Sequence, residues 1–201
     1  MIEVKETKKI QDQNKIRKLI GEFHNQDGMK RRHARLSVTK IGKAATPFLI
    51  EALKDNKEDV RWEAAKALVD IKDPKAASVL VSTLMDNVFE IRWLAAEALI
   101  ALGRSAIVPI LEALRNQSDS VSLREGAHHI LHDLERKQKL DKPVLDVLES
   151  LRSLGCEMEV VLAAEKALDF LKKKGHAIVE RQAVPDMVIA AIELKTKIKR
   201  L

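Results

Sequence analysis

His128 and His132 stand four residues apart, and on a helix that spacing projects both imidazoles from one face, as two metal ligands require. His129 and Asp133 lie round the corner of the same segment. A catalytic metal usually takes three protein ligands, and no second segment supplies a matching pair, since His24, His33 and His176 are remote in sequence. The two histidines are thus the only metal candidates, and weak ones; no metal or other cofactor is expected. Nucleophile dyads, phosphate-cradling glycine loops and paired carboxylates in a plausible cleft are also missing, because the glycines sit singly at helix ends. Cys156 is the only cysteine, which excludes an intrachain disulfide and a cysteine-based zinc site. No catalytic residue is assigned, and a non-catalytic role is the expectation.

The residues suited to binding are the only two tryptophans. Trp62 lies in the string RWEAAKAL beginning at Arg61, and Trp93 lies in RWLAAEAL beginning at Arg92, 31 residues later; a weaker echo begins at Arg124. A period of this length marks stacked helix pairs, each burying its apolar face against its neighbours. The punctuation predicts five pairs: Thr7–Phe23 with Met29–Ile41, Thr46–Lys54 with Asp59–Ile71, Pro74–Met85 with Glu90–Leu102, Ser105–Arg115 with Val121–Leu134, and Lys142–Ser153 with Glu157–Lys174. A further helix is expected after Pro185, so the chain divides into an array over 1–174 and a helical extension or cap over 175–201.

The stretches VRWEAAKAL and EIRWLAAEALIALG, with GKAATPFLIEALKD and GRSAIVPILEALRN before the paired segments, resemble HEAT repeats of the short phycobilisome-lyase-like type, most strongly over 30–134. The resemblance implies an all-α, right-handed α-α superhelix of the armadillo-like helical class, with second helices lining a concave side. It also implies that an Arg at the start of each second helix ties one inter-helix turn to the next through a carboxylate. Arg61, Arg92 and Arg124 with Asp55, Asp86 and Asp119 would form that ladder. Deoxyhypusine hydroxylase shares the fold and uses repeated His-Glu pairs for iron chemistry, but no His-Glu dipeptide occurs here. Bilin lyases share the repeat type, yet the similarity is confined to structural positions.

On a wheel of 100° per residue, Val60, Ala64, Ala67, Leu68 and Ile71 share one face, and Ile91, Ala95, Ala98, Leu99 and Leu102 repeat it. Trp62 and Trp93 fall nearly opposite, beside Val69 and Ile100, with Leu94 adding an apolar side chain. Two readings stand: an interface anchor on the inner wall, or a ring packed between adjacent second helices. The same wall carries Arg32 and Arg35 in the first unit and Glu125, His128 and His132 in the fourth, which would complement a segment with an acidic end and an apolar centre.

Charge and composition select among partners. The net charge is +6, with 12 Lys/Arg and 5 Asp/Glu in 1–43, 16 and 22 in 44–170, and 8 and 3 in 171–201. Basic ends therefore flank an acidic middle, unlike the continuous positive groove of a nucleic-acid solenoid. The leading expectation is a scaffold that binds a protein or peptide. The alternative is backbone binding to nucleic acid through Lys30, Arg31, Arg32, Arg35 and the tail residues Lys195, Lys197, Lys199 and Arg200. A bilin lyase-like or metal-dependent hydroxylase-like enzyme ranks last. Aromatic content is 3% with no Tyr, while alanine and leucine supply closely packed helices. Met1 is followed by polar residues rather than an apolar signal core, and no run of about 18 apolar residues was found. No membrane association and a cytoplasmic location are expected.

Overall fold

Gly103 and Gly42 adopt left-handed backbone angles, φ +61° and +77°, at the ends of second helices, where a side chain would be strained. Such breaks convert one long helical sequence into stacked pairs. In the computed structural model the backbone is described for residues 2–152 and 157–182, and side chains for 10–152 and 157–175. The helices are α1 Ile2–Gly21, α2 Gly28–Ile41, α3 Thr46–Ala52, α4 Glu58–Ile71, α5 Ala77–Thr83, α6 Phe89–Leu102, α7 Ile107–Asn116, α8 Val121–Lys137, α9 Lys142–Arg152 and α10 Glu157–Gln182. Short 3-10 turns precede α3, α5 and α7, and no strand occurs among the described residues. The molecule is an all-α solenoid of helix pairs.

Aspartates organise the entries to the second helices. Asp27, Asp55 and Asp86 each accept, through Oδ1, a hydrogen bond from the amide two residues on, at 2.8, 2.9 and 2.9 Å. This local pairing competes with helix and fixes the turn that precedes it. Ser120 Oγ accepts instead from the amide three residues on, that of Leu123, at the start of α8.

The second helices stack in sequence order, α2 on α4, α4 on α6 and α6 on α8. The stripes expected from the wheel are inside: Val60, Ala64, Ala67, Leu68 and Ile71 are buried, as are Ile91, Ala95, Ala98 and Leu99, with Leu102 half-buried. Small alanines allow the close approach; removing apolar surface from water at about 25 cal/mol per Å² supplies the drive. Among the described residues the apolar stretch Phe89–Asn116, half of whose 18-residue apolar window is buried, feeds this core from α6 and α7, with the Gly103 break between them.

The fifth pair departs from the expected register. α9 packs beside α8, and α10 packs along α7 and α9, so α10 joins the layer of first helices instead of extending the layer of second helices. Asp141, ahead of α9, fixes this return: Lys174 Nζ lies 2.7 Å from its Oδ1 and Arg104 NH1 3.5 Å from its Oδ2. Hydrogen bonding to Lys174, foremost, holds the Asp141 carboxyl below the usual range. The helix expected to stop at Lys174 continues through Gly175 to Gln182. The helix expected after Pro185 lies outside the described residues.

Candidate functional site

The first turns of α4, α6 and α8 build two adjoining grooves, one on each side of α6. Between α4 and α6 a cavity of about 290 Å³ is lined by Glu58, Asp59, Trp62, Val88, Glu90 and Ile91. Between α6 and α8 a second, of about 240 Å³, is lined by residues including Leu84, Phe89, Arg92, Trp93, Glu125 and His129. Each tryptophan therefore edges one groove, but the two rings have different surroundings.

Trp62 is half-buried and packed against the core. The Arg35 guanidinium of α2 lies over its ring, 5.6 Å from the centroid, while Arg35 Nε donates to Glu63 Oε2 at 2.6 Å. Trp93 is 48% exposed and Phe89 61%. Their centroids are 6.5 Å apart, and the Arg92 guanidinium sits 5.5 Å over Phe89. His129 of α8 stacks on Trp93 at 5.1 Å and still leaves about half of the indole exposed. The repeat explains the contrast. Arg31, Arg61 and Arg92 are equivalent, so the residue in register with Arg35 on the next second helix is Ala65, too short to reach Trp93.

Gly126 sets the width of the second groove. A Cβ placed there would meet Leu84 Cδ2 and Cδ1 at 3.1 and 3.2 Å, tighter than ordinary contact. Glycine at this point lets α8 approach the end of α5.

Recurrent arginines lock the turns beneath the grooves. Arg61 NH1 donates to the Asp55 and Asn56 carbonyls, and its Nε and NH2 straddle Asp86 Oδ2 and Oδ1 at 2.7 and 3.1 Å. The hydrogen bond that Arg61 donates to Asp86 foremost raises the Arg61 pKa against the opposing effect of burial. Arg31 NH1 likewise donates to the Asn25 and Gln26 carbonyls, Arg92 NH1 to Asp86 O and Arg124 NH1 to Ser118 O.

Comparison with known proteins decides the repeat type. A family profile described as HEAT repeats matches residues 16–100. Residues 16–100 are thus similar to HEAT repeats. A comparison with curated proteins finds no significant match. Among solved structures, the chain is similar to one from the complex of CpcE and CpcF of phycocyanin lyase from Nostoc sp., with 24% identity, TM-score 0.53 and coverage of 74% of this chain and 96% of that one. It is also similar to an engineered protein at 21% identity and TM-score 0.41, covering 83% of each chain. A designed armadillo repeat protein aligns at 16% identity and TM-score 0.33, covering 76% of this chain and 98% of that one.

Within this array of helix pairs the sequence-selected residues fall into distinct places. Trp62, Trp93 and Glu125 line the grooves, and Val69 and Ile100 are half-buried against the core. Leu94 is corrected from surface to core: at 7% exposure it fills the position that Glu63 occupies one repeat earlier. Arg35, 8% exposed, is likewise withdrawn from the open wall by Glu63, whereas Arg32 remains exposed. Asp55 pairs with His24 at 3.4 Å, while Arg31 turns to Asp59 at 3.0 Å. Arg124 lies 3.6 Å from Glu157 rather than on Asp119. For Arg92 the repeat spacing that joins Arg61 to Asp86 arrives at Gln117, so its guanidinium rests on a carbonyl and a ring.

His128 and His132 stack on each other with centroids 6.0 Å apart and planes 11° from parallel. No cluster of three or more His, Cys, Asp or Glu suited to a metal occurs among the described residues. Burial foremost, then the Arg152 charge and the neighbouring imidazoles, lowers the His128 pKa below its ordinary value. Phe89 and Gly126 were left unassigned by sequence reasoning, while Arg31, selected there as a phosphate contact, is instead a turn-locking residue. Phe89 carried a usable signal, an aromatic four residues before Trp93 on one helical face.

Proposed function

We propose that this HEAT array is a non-catalytic scaffold that holds a segment of a partner protein in the groove between α6 and α8. The observation carrying this reading is the exposed Phe89–Trp93 pair at a ring separation of 6.5 Å, beside a groove of about 240 Å³. Large aromatics exposed together on a rigid helix are favourable anchors, because they bring contact area with little side-chain entropy to lose. The relative from Nostoc was solved as a complex of two proteins, which supports a protein-binding use of this fold. Arg31 and Arg35 are engaged by Asp59 and Glu63, which draws charge away from the proposed phosphate contacts of the nucleic-acid alternative.

A photo-crosslinking residue installed at Phe89 tests the reading. It should label a discrete protein partner in extracts of the source organism, while the same group at exposed Phe170 on α10 should not. Equal labelling from both positions would defeat the assignment of the groove.

A further inference from the structure

Resting on the scaffold reading, we infer that the occupant is a cationic segment of a partner protein, extended across α4, α6 and α8, with Lys or Arg beside Trp62 and an aliphatic side chain against Trp93. The sequence alone suggested the opposite charge, from the run Lys30–Arg35. The structure engages two of these cations, with Arg31 3.0 Å from Asp59 and Arg35 2.6 Å from Glu63, and the exposed Lys30 and Arg32 do not line either groove.

What remains at the grooves is acidic. Glu58, Asp59, Glu90 and Glu125 stand against one guanidinium, Arg92, already held by the Asp86 carbonyl and the Phe89 ring. Asp59 is shared with Arg31, but Glu58, Glu90 and Glu125 are exposed side chains. Early-helix carboxylates such as Glu58 and Glu90 also favour the positive ends of their own helices, a role that needs no ligand. That role does not account for Glu125, which lies in the second turn of α8, nor for the two aromatics left open beside it. A basic, apolar-bearing strand satisfies both features at once.

The grooves set its pattern. Neighbouring packed helices lie about 8–10 Å apart and an extended chain advances about 3.3 Å per residue, so adjacent grooves are about three residues apart along a crossing strand. The cation would occupy the groove beside Glu58 and Glu90, which Trp62 borders. The aliphatic residue would fill the more apolar groove at Phe89 and Trp93.

The test is panning of a random dodecapeptide display library on the full chain, followed by affinity measurement of the recovered peptides. Enrichment of Lys or Arg about three residues from an aliphatic residue is expected. Binding should fall roughly fivefold to tenfold in Glu58→Gln/Glu90→Gln/Glu125→Gln and weaken with salt, as exposed ion pairs do. Enrichment of acidic peptides, or binding indifferent to these substitutions and to salt, would overturn the charge assignment while leaving the scaffold reading intact. Failure to recover any peptide sensitive to Trp93→Ala would overturn the inference together with the groove. Tighter binding by a synthetic peptide of residues 185–201 than by any recovered sequence would assign the groove to this chain's own tail and overturn the partner.

Discussion

Arg35 of α2 reaches Glu63 of α4 across the seam between two repeats, Nε to Oε2 at 2.6 Å, and both side chains are nearly sealed from solvent. One repeat later the same two positions hold Ala65 and Leu94, both buried in the apolar core, so a charged pair and an apolar pair fill equivalent places in one molecule. Removing a single partner strands a charge. Glu63→Leu should therefore cost about 3 kcal/mol or more, whereas Arg35→Ala/Glu63→Leu, which copies the next seam, should recover most of that loss. Chemical denaturation of the two variants checks it; equal stability of single and double variants would contradict the account.

A second expectation concerns Gly126. Alanine there gains about 1 kcal/mol of helix propensity but drives a methyl toward the fully buried Leu84, and overpacking costs about 1–3 kcal/mol. Gly126→Ala should therefore melt lower than the parent. Leu84→Val, which withdraws the clashing Cδ atoms, should restore part of the loss in the double variant. A stabilised Gly126→Ala would show that the seam yields freely.

Protonation of His128 supplies a pH dependence with a definite sign. Its folded pKa lies below the unfolded value of about 6.5, so between the two the unfolded chain binds more protons. This group's contribution is fully favourable above about 6.5 and is lost as pH falls toward the folded pKa. Thermal midpoints recorded from neutral to mildly acid pH should drop more steeply for the parent than for His128→Gln. Parallel curves would remove His128 from the explanation.

Much of the solenoid was legible because its signals are local. Pro47, Pro74, Gly42 and Gly103 punctuate helix ends, and the alanine-rich stripes report a buried face at the helical period. The destination of α10 was not legible, since an amphipathic pattern shows that a face is covered without saying by which helix. The two tryptophans look alike in sequence because their difference is written on α2 and α4, at Arg35 and Ala65. Basic residues in a run likewise appear solvated until Asp59 and Glu63, a repeat away, are seen to meet them. Phe89 escaped notice because α6 begins one residue earlier than expected, which moves that ring from the turn onto the helix.

The most direct test compares the yield of crosslinked or co-purified partner from the full chain with Trp93→Ala and with Trp62→Ala, each matched to its thermal midpoint. Trp93→Ala should keep the parent's stability and lose most of the partner, while Trp62→Ala should lower the midpoint because its ring is packed under Arg35. Undiminished partner recovery by a folded Trp93→Ala would contradict the claim that the open indole is the anchor.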